Sequence, residues 1–152
     1  MISTLLVGIF MITLCLLVQC FVLALVLKYL LRVETKKGIK ESIVGSAFLL
    51  STILFITVCG NLIQIALWAE LYIILGEFES YAKAFYHSAV NFSTLGYGDF
   101  VMSNENKLLG ALEAVNGVLM FGLSTGFIYA IIHAILKRAW DSKITKQNVS
   151  IK

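Results

Sequence analysis

Three stretches of the chain carry no Lys, Arg, Asp or Glu: residues 1–27, 42–69 and 114–136. A helix needs roughly 20 residues to cross about 30 Å of hydrocarbon, so each stretch predicts a transmembrane helix. A fourth stretch, 84–98, is shorter and ends in a glycine cluster. That length fits a re-entrant segment better than a span. Around its start, residues 81–92 read as a short helix, with Ser80 as N-cap and Glu77 and Glu79 near its positive end. Such a helix reaches about 18 Å, roughly half a bilayer, before the chain returns as an extended strand.

Composition agrees with this pattern. Of 152 residues, 59% are hydrophobic, 14% are charged and none is proline. Soluble domains run at roughly 45–50% apolar and about 25% charged, so a water-soluble globule is excluded and so is disorder. A net charge of +3 gives no reason to expect nucleic acid as a partner. The first stretch is expected to stay as a transmembrane helix: it lacks a basic start and a small-residue cleavage site, and it is too long for a signal peptide. Ten of the twelve basic residues fall in two short segments, Lys28 to Lys40 and Lys137 to Lys152. Basic loops stay in the cytoplasm, which predicts the N-terminus outside and the C-terminus inside. Cys15, Cys20 and Cys59 lie in apolar runs and read as buried packing thiols. The tail after Lys137 is too short for a ligand-sensing domain.

The chemistry is expected in Ser93-Thr94-Leu95-Gly96-Tyr97-Gly98-Asp99. An extended strand inside a membrane exposes carbonyls that hydrocarbon does not tolerate. A dehydrated cation can satisfy them. Gly96 and Gly98 permit backbone angles that let successive carbonyls point the same way, with Leu95 and Tyr97 turned back onto the short helix. The Thr94 hydroxyl adds an oxygen at the inner end of the row. The negative end of the short helix also favours a cation there.

Thr94-Leu95-Gly96-Tyr97-Gly98-Asp99 resembles the selectivity-filter signature of potassium channels, Thr-(Val/Ile)-Gly-Tyr-Gly-Asp, with Leu95 as the one departure. The resemblance covers residues 43–137 in the order outer helix, pore helix, filter and inner helix. It looks like the two-helix pore module of bacterial potassium channels with one extra helix in front. The resemblance implies an all-α membrane protein, with three transmembrane helices plus a re-entrant pore helix and filter loop, assembled as a homotetramer around its pore. It implies passive potassium conduction through a filter of Thr94, Leu95, Gly96, Tyr97 and Gly98, with K+ held at Thr94, Leu95, Gly96 and Tyr97. Potassium is then the permeant ion, and no organic cofactor is expected. Ser93, Asp99, Tyr86 and Glu113 would support the filter. Tyr86-His87 stands where the family often has an aromatic pair, and Val90 where some members carry an acid.

The corresponding segments are an extra helix at 1–31, a basic loop at 32–42 and the outer helix at 43–75. The turret, pore helix and filter occupy 76–106, the inner helix 107–138 and a tail 139–152. In the inner helix Gly117 and Gly122 fit the family's glycine spacing. Gly117 is either a gating hinge, whose replacement by alanine lowers open probability at unchanged selectivity, or a close-packing residue. Gly122 and Gly126 form a small-xxx-small pair that favours helix contact. Asn61, Gln64, Glu113 and Asn116 are the polar residues noted inside spans. Glu113 either bonds behind the pore helix or packs between helices, and Asn116 is expected near the cavity. Trp68, Glu70 and Tyr72 read as an outer-interface anchor. His133 is read as structural, with proton sensing as the other reading.

Gly122-Leu123-Ser124-Thr125-Gly126 matches the G-x-S-x-G pattern of serine hydrolases. It lies within an apolar helix with no aspartate nearby, so no enzyme is expected. The protein is expected in the cell (plasma or inner) membrane as a multi-pass protein. Rival readings are a weakly selective cation channel, a non-conducting modulatory subunit of another channel, and a potassium-uptake subunit; the last fits poorly, since that family pattern places four degenerate filters in one long chain.

Overall fold

The computed structural model describes residues 1–34 and 43–149. Four helices follow in order: α1 Ile2–Glu34, α2 Ile43–Ile74, α3 Tyr81–Phe92 and α4 Lys107–Val149. Three of them, α1, α2 and α4, are long and apolar enough to cross a membrane. Most of the expected basic loop, with Lys36, Lys37 and Lys40, lies outside the described residues, as does Lys152. The expected boundaries of α1 and α2 agree with the structure to within a few residues. The last helix does not stop near 138. It continues to Val149, where no glycine or proline after Gly126 interrupts it.

Helix α3 lies against both α2 and α4, and α1 packs on the same two long helices. The larger core surrounds α3 with Met11, Cys15, Trp68, Tyr72, Phe92, Leu109 and Met120. A smaller one at the other end joins Val26, Ile53 and Ile131. Lipid is as apolar as leucine, so helices here associate through close packing and internal hydrogen bonds. Both devices are present. A Cβ added to Gly8 would meet Leu112 at 2.3 Å, and one added to Gly60 would meet Val22 at 2.8 Å. Gln64 Nε2 donates to Gln19 Oε1 at 2.8 Å, and Gln19 Nε2 donates to Ser124 Oγ at 2.8 Å. This buried chain of amides and a hydroxyl ties all three long helices together.

Several expectations change. Trp68 and Tyr72 are fully buried, not anchors at a membrane interface. Helix α3 folds back over that end of α2, and the two rings lie inward and tilted against each other (centroids 6.1 Å apart). Of the cysteines, Cys15 is buried, Cys59 is half-buried and Cys20 is exposed. Gly122 and Gly126 have nothing within 4 Å of an added Cβ, so they make no close helix contact inside the chain. Asn116 is completely buried, beside Cys15.

Candidate functional site

Helix α3 starts at Ser80, whose Oγ accepts from the Lys83 N–H at 3.4 Å. Its far end is closed by two crossed bonds: Thr94 N–H to the Asn91 carbonyl at 2.8 Å, and Leu95 N–H to the Val90 carbonyl at 2.9 Å. This is the cap in which the residue after the helix turns left-handed, a position usually held by glycine. Here it is Thr94, with φ of 62°. Ser93 Oγ adds bonds to the Ala89 and Val90 carbonyls at 2.7 and 3.2 Å. From the cap onward φ is positive at Thr94, Gly96 (60°) and Gly98 (73°), and at neither Leu95 nor Tyr97.

The outer surface of α4 clamps this end. A Cβ added to Gly117 would lie 1.9 Å from the Phe92 carbonyl oxygen, so α4 touches α3 backbone to backbone. Phe92 itself is buried and meets Phe121 edge-on at 5.5 Å. Behind the helix, Ser88 Oγ donates to Glu113 and also lies 2.8 Å from the Ile65 carbonyl. Tyr72 Oη donates to Glu113 Oε2 at 2.6 Å. The fully buried Glu113 thus holds α2 and α3 to α4.

Past Gly98 the chain is held from two sides. Asp99 Oδ1 accepts from Phe100 N–H at 3.1 Å, and the Asp99 carboxylate, bonded to the Tyr86 phenol, raises that phenol above its ordinary value. Tyr86 also meets the Phe100 ring edge-on at 5.8 Å. Glu77, in the turn after α2, accepts from Ser103 N–H (2.7 Å), Ser103 Oγ (2.6 Å) and Asn106 Nδ2 (2.7 Å). Burial alone would raise the Glu77 carboxyl, but these donors hold it below the usual carboxylate value. Its role as a strap across 103–106 was missed, because an acid before a helix start reads as a dipole partner.

Leu95 and Tyr97 were expected to pack back on the short helix. They do not: they are 58% and 67% exposed. Gln19 was also missed, a single amide inside an otherwise apolar run. The G-x-S-x-G serine, Ser124, sits mid-helix with its hydroxyl 2.8 Å from the Met120 carbonyl, far from any strand-to-helix elbow. Among the described residues no cluster of His, Cys, Asp and Glu is arranged to hold a metal.

No curated protein and no solved structure matches the chain. A family model described as "Ion channel" matches residues 49–134. That match spans more than half the sequence and takes in most of α2, all of α3, the 94–99 segment and the apolar part of α4, and on it the chain belongs to the ion channel family.

Proposed function

We propose that the protein is a potassium-selective channel that conducts passively, with Thr94, Leu95, Gly96, Tyr97 and Gly98 as its filter. The observation that carries this reading is the backbone of 94–98. Positive φ at every second residue, Thr94, Gly96 and Gly98, alternates the hand of the chain. Such alternation turns successive carbonyls to one side of a strand, making a row of oxygens able to replace a cation's water. One chain supplies one row, so a ring requires several copies. The exposed apolar side chains of Leu95 and Tyr97 need cover, and neighbouring copies in a homotetramer would supply it. Helix α3 points its negative end at the same place. The basic segments support a cytoplasmic C-terminus, an outer N-terminus and an Asp99 end of the filter that faces outward.

Purified protein in liposomes, under opposed potassium and sodium gradients, tests the reading. The expected reversal potential lies close to that of potassium, and Gly98→Ala abolishes it while the protein still inserts. A reversal potential near zero with robust current makes it a weakly selective cation channel. No current with intact assembly makes it a modulatory subunit.

A further inference from the structure

His87 is a buried titratable group that the proposed filter leaves unused. It sits on α3, 7% exposed, between the rings of Tyr72 from α2 (centroids 5.5 Å) and Phe78 from the turn before α3 (4.9 Å). Both ring nitrogens are engaged. Nδ1 lies 3.0 Å from the carbonyl oxygen of Phe100, which follows the Asp99 at the mouth. Nε2 lies 2.8 Å from Asn91 Nδ2. A carbonyl only accepts, so Nδ1 carries the proton; Nε2 then accepts from the Asn91 amide. Asn91 in turn interacts with Glu113 on α4 and with Tyr72. Hydrogen bonds therefore run from the mouth of the 94–99 segment through His87 to Asn91, which in turn lies against Glu113 of the helix that clamps α3.

This chain works only with a neutral imidazole. A second proton on Nε2 places an N–H against the Asn91 NH2, donor against donor, so the amide must turn or the ring must leave. Water can deliver that proton: His87 and Asn91 line a cavity of about 240 Å³ with Val90, Gly96, Phe100 and Lys107. The groups facing the ring are Tyr72 from α2, Glu77 from the turn before α3, Asp99 from the mouth, and, through Asn91, Glu113 from α4, with Lys107 across the cavity.

We propose that His87 is a proton switch on the outer mouth, and that its protonation disengages Asn91 and shifts the Phe100 carbonyl so that conduction falls. The inference rests on the channel reading for its functional output and on the ring geometry for the switch itself. Burial lowers the imidazole below its ordinary value, against the pull of Phe100, Asp99 and Glu77. The ring is accordingly neutral at pH 7. It charges only in acid below its ordinary value of about 6.5.

Two measurements on the full-length protein test this. In planar bilayers, acidifying the side facing the filter mouth from pH 8 to pH 5 is expected to lower open probability by about fivefold or more. His87→Gln, whose amide can still donate to Phe100 and accept from Asn91, is expected to conduct at pH 8 and stay flat in acid. Asn91→Asp, which offers the imidazolium an acceptor, moves the acid midpoint upward. Imidazole NMR in micelles, with His87→Gln assigning the resonance, is expected to show the Nδ1–H tautomer titrating below the ordinary histidine value. A flat wild-type response, an unchanged profile in His87→Gln, or the Nε2–H tautomer overturns the switch. Absence of any current at pH 8 counts against the channel reading, and the NMR then still decides the tautomer and titration on which the switch depends.

Discussion

Two helices of this protein end in the same way with different residues. Helix α2 closes with Gly76 N–H on the Ile73 carbonyl and Glu77 N–H on the Tyr72 carbonyl, both at 3.0 Å. Helix α3 closes with the same two crossed bonds through Thr94 and Leu95. The turning residue has φ of 71° at Gly76 and 62° at Thr94. At the first end, glycine meets the geometry with no steric cost. At the second, a residue with a branched Cβ is held left-handed, at about 1–2 kcal/mol. The surroundings differ too. Nothing lies within 4 Å of an added Cβ at Gly76, while the α3 end is clamped through Gly117 on the Phe92 carbonyl. Where only a turn is needed the chain uses glycine. At Thr94 it tolerates the strain of a branched residue and packs α4 against the helix end behind it.

Breaking the brace is expected to have the largest effect. In Gly117→Ala a methyl group would sit 1.9 Å from the Phe92 oxygen, so α3 and α4 must separate. Overpacking of this kind costs roughly 1–3 kcal/mol. Thermal stability in detergent is expected to fall, and potassium-over-sodium selectivity with it, because the displaced helix end carries Thr94. That departs from a pure hinge, for which open probability alone would change. Gly122, with nothing within 4 Å, is the position at which alanine tests bending without this clash. Normal selectivity and stability in Gly117→Ala would show that the α3 end tolerates movement.

Exchanging the two turning residues sharpens the comparison. Gly76→Thr is expected to destabilise the fold by about 1–2 kcal/mol and leave permeation selectivity unchanged. Thr94→Gly is expected to do the reverse: stability holds, while discrimination falls by at least about tenfold, equivalent to about 1.4 kcal/mol. Paired melting curves and reversal potentials give all four numbers. Should Thr94→Gly keep full selectivity, the hydroxyl is unnecessary and the strain at 94 has no functional return.

Much of this arrangement was legible in the order of residues. Uncharged runs placed three spans, because charge is what a bilayer excludes most strongly. Ser80 placed the start of the short helix, and Gly96 and Gly98 marked the positive-φ backbone that follows it; the structure assigns no strand there. What escaped depends on which neighbour a helix face meets. Trp68 and Tyr72 carry the signature of an interface belt, and the packing of α1, α3 and α4 around them makes them core. Leu95 and Tyr97 alternate correctly for a strand, yet a single chain offers them no surface to cover. Gln19 gives no periodic signal, since its partners Gln64 and Ser124 lie on other helices. The cap at Thr94 was hidden because threonine is a poor marker of a left-handed turn.

The smallest expected effect concerns the strap that follows the α2 end. Glu77 joins that turn to Ser103 and Asn106 through three hydrogen bonds, and its carboxyl is held below the ordinary value. A carboxyl depressed on folding stabilises the native state above its unfolded value, near 4.5. That contribution is lost as pH falls through the lower folded value. The site is partly exposed, so screening keeps the effect under about 1 kcal/mol. Glu77→Gln is expected to shift the melting temperature by a few degrees at most at pH 7, and to flatten the dependence of stability on pH below about 4.5. The His87 response sets in where the imidazole gains its proton, which burial moves below its ordinary value. Melting curves of wild type, Glu77→Gln and His87→Gln between pH 8 and pH 3.5 therefore separate the two groups by where each curve departs. If Glu77→Gln instead erased the loss above pH 5, the strap and the switch would be one coupled unit joined through the Glu77–His87 field, and the turn after α2 would belong to the site as fully as the end of α3 does.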